Sequence, residues 1–173
     1  MDPRLWSVVE RADGLSPALA RRMVGAFLRL ASPFNAPLRA TIEEWEPTRC
    51  RARVPPRRAL RNHLGGVHAG ALVTAGETPA GLLVLKSFPF SRYRLILKDL
   101  SATFERQARG AVLAEARLAP EEIARAKEGL ERGEAQLVPV ETTLSEPEGE
   151  RLAVVRTTWQ VKPWSAVRGP KQG

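Results

Sequence analysis

Glu77 is the only carboxylate between Pro47 and Lys98, and it lies midway along the most apolar run of the chain. Taking a carboxylate out of water without partners costs several kcal/mol, so a sequence retains one in such a run where it has a partner or a task. The plainer alternatives are a glutamate on a wet dimer seam or one paired to an arginine such as Arg61. The chemical alternative is an acid, base or nucleophile. Just upstream, Gly65-Gly66-Val67-His68-Ala69-Gly70 brings a histidine and small residues to the start of the same run. If a helix begins there, its first amides lack intrahelical acceptors and its positive end faces whatever docks. A thioester or ester carbonyl developing negative charge requires such aimed donors. Taken singly, His68 also serves as an ordinary helix cap and the glycines as a tight turn. A third feature is charge: six arginines and no acid lie from Arg49 to Arg61. Forked guanidinium donors suit phosphates, with Arg57, Arg58 and Arg61 as candidates, while Arg49, Arg51 and Arg53 fit a solvated strand face.

The elements that must position these residues follow from periodicity. Residues 4 to 32 carry two helices parted at Asp13-Gly14, the second opened by Ser16-Pro17, with Leu19, Met23, Phe27 and Leu30 at helical spacing. From Leu38 to Val54 the period becomes two, clearest at Arg49–Val54, and Pro55-Pro56 ends that strand. Gly66 to Leu85 reads as one helix apolar on nearly every face, hence buried in a wrapped fold. A membrane span suits the length but not the ionisable residue and Pro79 at its centre. Strands follow at about 93–104 and 111–118, joined in hairpin fashion by Gln107-Ala108-Arg109-Gly110. A charged helix runs from Pro120 to Gly133, and two last strands cover about 135–144 and 152–162. The class is α+β, with an antiparallel sheet of about five strands curled around a central helix at about 66–85.

Length bounds the organisation. A chain of 173 residues suits a single core, with 1–35 as an N-terminal helical extension, 36–164 as the main domain and 165–173 as an unstructured tail. One cysteine, Cys50, and two histidines exclude an intrachain disulfide and a Cys-based zinc cluster; no metal is expected. The first ten residues have no apolar core of signal-peptide length, so a cytoplasmic protein is expected. The net charge of +8 admits a polyanionic partner, but no nucleic-acid-binding pattern accompanies it.

The segment Asn62-His63-Leu64-Gly65-Gly66-Val67-His68-Ala69-Gly70-Ala71, followed by Leu72-Val73-Thr74-Ala75-Gly76-Glu77, resembles the acyl-CoA thioesterases of the hotdog superfamily. The likeness is to the 4-hydroxybenzoyl-CoA and phenylacetate-pathway types, and the charged helix inserted after Leu118 is similar to an uncharacterised bacterial branch with a domain of unknown function. In that pattern an asparagine precedes the histidine by six positions and an acid follows it by nine, as Asn62, His68 and Glu77 do here. The resemblance covers roughly residues 36 to 162. It implies a homodimer or dimer of dimers that hydrolyses an acyl-CoA or related acyl thioester without a cofactor beyond the coenzyme A of the substrate. Carried over, Glu77 is base or nucleophile, the Ala69 N–H polarises the carbonyl, and Asn62 helps place substrate or water. His68 and Gly70 belong to the same motif. Ala69 departs from the usual glycine, and Leu97 stands where some relatives carry a hydroxyl. The arginines Arg57, Arg58 and Arg61 then face coenzyme A phosphates.

Two other readings stay open. A non-catalytic hotdog module would bind an acyl ligand or a partner protein, and a dehydratase-like enzyme would use His63 and Glu77, fourteen residues apart. Helix geometry adds a constraint of its own. Nine helical residues rise about 13.5 Å and turn about 900°, so positions 68 and 77 face opposite sides. A two-fold dimer with its central helices side by side could bring both to one carbonyl.

Overall fold

The computed structural model describes Gly14 and residues 16–167. The first expected helix, and the tail beyond Val167, lie outside them. Helix α1 (Pro17–Ala31) starts as its sequence dictates, with Pro17 in the first turn and the Ser16 hydroxyl accepting from Leu19 N–H at 3.4 Å. Its buried stripe is Ala20 and Val24, flanked by Met23, Phe27 and Leu28. Leu19 and Leu30, expected to pack, are exposed, because the inward face is centred one position along from the ridge they define. A 3₁₀ segment (Pro33–Leu38) leads to strand β1 (Thr41–Glu46), which turns at Pro47-Thr48 into β2 (Arg49–Val54). That hairpin makes the sheet six-stranded, one more than the period-two pattern over 38–54 suggested.

The central helix α2 runs Ala69–Ser87, beginning three residues later than expected. Strand β3 (Tyr93–Phe104), β4 (Val112–Arg117), helix α3 (Pro120–Glu131), β5 (Gln136–Ser145) and β6 (Arg151–Pro163) complete the domain. The sheet is antiparallel throughout, in the order β1-β2-β4-β5-β6-β3, and α2 touches all six strands, so the sheet curls around it. Close approach is built into the sequence: a methyl group at Gly76 would stand 2.6 Å from Val155 of β6. Trp45 of β1 ties one flank to the helix through its Nε1–H, which donates to the Leu82 carbonyl at 3.0 Å.

The expected hairpin between β3 and β4 is not formed. β3 lies at the sheet edge beside β6, and β4 lies between β2 and β5. The linker is instead spent on the loop before α2, where the Ala108 carbonyl accepts from Val67 N–H at 2.8 Å and the Gln107 side chain covers Gly66. Helix α3, inserted between β4 and β5, buries Ile123, Ala126, Gly129 and Leu130. After β6 a 3₁₀ turn spans Trp164–Ala166, running two residues into the stretch expected to be unstructured, and Trp164 Nε1–H donates to the Phe90 carbonyl at 2.7 Å. Among the described residues no helix is long and apolar enough to cross a membrane.

Candidate active site

Glu77 is half-buried near the middle of α2, on the wall of a cavity of about 150 Å³ that α1 helps to close. Phe27 of α1, Phe90, Leu95 of β3 and Trp159 of β6 also line it; among the described residues, Asn35 and Thr78 are the remaining polar ones. The Thr78 hydroxyl is already engaged, donating to the Thr74 carbonyl at 2.7 Å. Among the described residues no basic side chain pairs with Glu77, and burial pushes its carboxyl above the ordinary carboxylate range. Desolvation without a compensating cation is the setting in which a carboxylate becomes a competent base near neutral pH.

Trp159 defines one side of this environment. A methyl group at Gly81 would stand 3.0 Å from its indole ring and 3.7 Å from Glu77 Oε1, so the ring and the carboxyl meet over a glycine. The indole is held by its Nε1–H, which donates to Thr157 Oγ1 at 3.0 Å; that hydroxyl donates in turn to the Val140 carbonyl at 3.3 Å. Trp159, Phe27 and Asn35 join Glu77 without having stood out in the sequence as site residues. For Trp159 a signal existed: it falls on the inward face of the alternating strand Leu152 to Lys162, opposite a glycine in a buried helix.

At the other end of α2, His68 is the N-cap, and its Nδ1 accepts from Gly70 N–H at 3.0 Å. The Ala71 and Leu72 N–H groups donate to the His68 carbonyl at 2.9 and 3.1 Å. The Gly70 amide is therefore satisfied within the helix start, whereas the Ala69 N–H meets no acceptor among the described residues. Asn62 shapes the loop beneath: its Oδ1 accepts from Leu64 N–H at 3.0 Å and Gly66 N–H at 3.2 Å, across a turn in which Gly65 has φ of 79°. A positive φ there is why a glycine occupies the position.

Arg58, Arg61, Asn62 and His63 line a cavity of about 530 Å³, and Arg57 is not among its lining residues. The arginines of β2 are not a bare solvated face. Arg49 lies 2.6 Å from Glu115, and Glu43 receives Arg51 at 3.1 Å and Arg53 at 2.6 Å. Adjacent strands thus neutralise three of the six arginines and leave the loop cations as the ones facing open space. Cys50 is buried, which pushes its thiol up. Among the described residues no group of three or more His, Cys, Asp or Glu could hold a metal ion.

Within one chain the motif residues fall into three separate cavities. Glu77 lines the one under α1; His68 and Gly70 line an apolar cleft of about 340 Å³ with Phe34, Leu38 and Thr74; Asn62 and His63 line the arginine cavity. The single chain therefore does not bring His63 into the cavity that holds Glu77.

Residues 20–161 match the model of a family described as a domain of unknown function, DUF4442. A crystal structure of a Pseudomonas aeruginosa protein of unknown function, described as a probable thioesterase, is similar at a TM-score of 0.74 and 31% identity, over 82% of this chain and 95% of that one. A mutant thioesterase of the same organism is similar at a TM-score of 0.67 and 19% identity, over 83% of this chain and 94% of that one. The architecture is the hotdog fold of the thioesterase superfamily, and the chain belongs to the DUF4442 family within it. No curated protein matches the chain.

Proposed function

We propose that this protein hydrolyses an acyl-CoA or related acyl thioester at a site shared by two copies of the chain. The observation that carries the reading is Glu77: a carboxyl desolvated without a paired cation, beside an apolar cavity. The N-terminal end of the same helix offers an amide donor, Ala69 N–H, with no acceptor among the described residues. In a two-fold dimer, Glu77 of one chain serves the Ala69 end of the other. The carbonyl oxygen docks on that N–H at the positive helix end. Glu77 takes a proton from water as the water oxygen adds to the carbonyl carbon, or its own carboxylate oxygen adds directly. Collapse of the adduct breaks the C–S bond, and the thiolate leaves to be protonated from solvent; in the direct route water then cleaves the acyl–Glu77 anhydride, releasing the acid and restoring the carboxylate. Arg58 and Arg61 meet the phosphates of coenzyme A. Strand β3 suits the dimer contact: it is a twelve-residue edge strand with Ile96 and Phe104 exposed.

A second reading has an observation of its own. The Gly70 N–H is spent on His68 and the Asn62 side-chain Oδ1 on its own loop, leaving fewer groups for catalysis and favouring an acyl-ligand-binding protein. Thiol release from a panel of acyl-CoAs separates the two. A hydrolase turns over at least one of them and loses that turnover with Glu77→Gln; a binder releases none.

A further inference from the structure

We propose that the cavity under α1 is the acyl chamber, and that it restricts the protein to compact, uncharged acyl groups of about four to six carbon atoms or a single ring. The inference rests on the reading of Glu77 as the reacting acid and goes on to define what that acid acts upon. Size comes first. The chamber measures about 150 Å³, and an apolar protein cavity of about that volume takes a benzene-sized guest. A ten-carbon chain exceeds that volume.

Chemistry narrows it further. Among the described residues, Glu77 is the only charged one lining the chamber. An acyl group ending in a second carboxylate would be desolvated with no cation among the described lining residues to pair it and with Glu77 nearby, which disfavours dicarboxylic acyl groups. The walls differ in firmness. Trp159 is pinned by the Nε1–H to Thr157 to Val140 relay. Phe27 and Leu28 come from α1, a helix outside the sheet that packs on β1 and reaches the core through Ala20 and Val24. Leu95 comes from the edge strand β3. Phe27 and Leu95 are therefore the specificity-determining residues: large apolar side chains from peripheral elements that set the chamber's length.

The test uses S-alkyl coenzyme A thioethers, which bind without reacting, with alkyl chains of two, four, six, ten and fourteen carbons and one four-carbon chain ending in a carboxylate. Calorimetry on the full chain should show affinity rising about fourfold per methylene to roughly six carbons and falling by ten carbons. The carboxylate-ended chain should bind at least about tenfold more weakly than its methyl-ended counterpart. Phe27→Ala and, independently, Leu95→Ala should shift the optimum to chains longer by two or more carbons, with circular dichroism verifying the fold of each. Affinity still climbing at ten and fourteen carbons in the unmutated protein, an unpenalised carboxylate, or an unshifted optimum in folded variants would overturn the chamber. A peaked profile without turnover of the matching thioesters would instead overturn the hydrolase reading and leave the chamber standing.

Discussion

At Glu77 the chemistry and the cost of folding are the same quantity. Burial raises the carboxyl's affinity for its proton relative to the unfolded chain, so above the unfolded value the ionised form works against the fold. As pH falls through the folded value, the native state takes up the proton first and stability rises. Glu77→Gln should therefore be more stable than the parent at pH 8, with the difference shrinking as pH falls through that window, read by urea denaturation at each pH. For hydrolysis the base must be ionised, so kcat/KM should fall on the acid side with a midpoint above the ordinary glutamate range. Glu77→Gln should lower it by about a hundredfold or more. A profile flat down to pH 4.5 would contradict a base with a raised pKa. Glu77 stood out in the sequence because isolation in an apolar run is a one-dimensional property. Its neighbours Trp159, Phe27 and Asn35 did not, because they come to it from other elements.

The central helix was legible for a similar reason: an apolar run broken only by scattered polar residues has to be wrapped. The order of strands was not. Adjacent period-two segments read as hairpins, yet the linker between β3 and β4 hydrogen-bonds to the loop before α2, and its strands separate to different parts of the sheet. Close packing of α2 on β6 yields a stability prediction. Gly76→Ala places a methyl group 2.6 Å from Val155 and should destabilise the fold by about 1–3 kcal/mol in urea denaturation. An unchanged midpoint would mean that helix and strand are not held at this spacing. For the loop before α2, the two arginines that line its cavity are the ones to change. Arg58→Ala/Arg61→Ala should weaken acyl-CoA binding by roughly tenfold or more at low salt, with a shallower dependence on ionic strength. Arg49, Arg51 and Arg53 are paired across strands, so their substitution should leave the salt dependence in place.

One chain holds Glu77, the Ala69 end of α2 and the arginine loop around three different cavities, and α2, one continuous helix over Ala69–Ser87, does not fold its middle back onto its own start. The sequence carried that constraint in the nine-residue interval between His68 and Glu77, and the fold adds an edge strand free to pair. Subunit complementation tests it most directly. Glu77→Gln chains and Asn62→Ala chains, each inactive and folded alone, are mixed and allowed to exchange, with exchange verified by mass-tagged subunits. If each site takes Glu77 from one chain and the Asn62 and Ala69 end from the other, hybrids carry one site with both lesions and one with neither. Random reassociation then restores thioester hydrolysis to about a quarter of the unmutated level. A mixture that stays inactive after exchange would contradict the two-chain site.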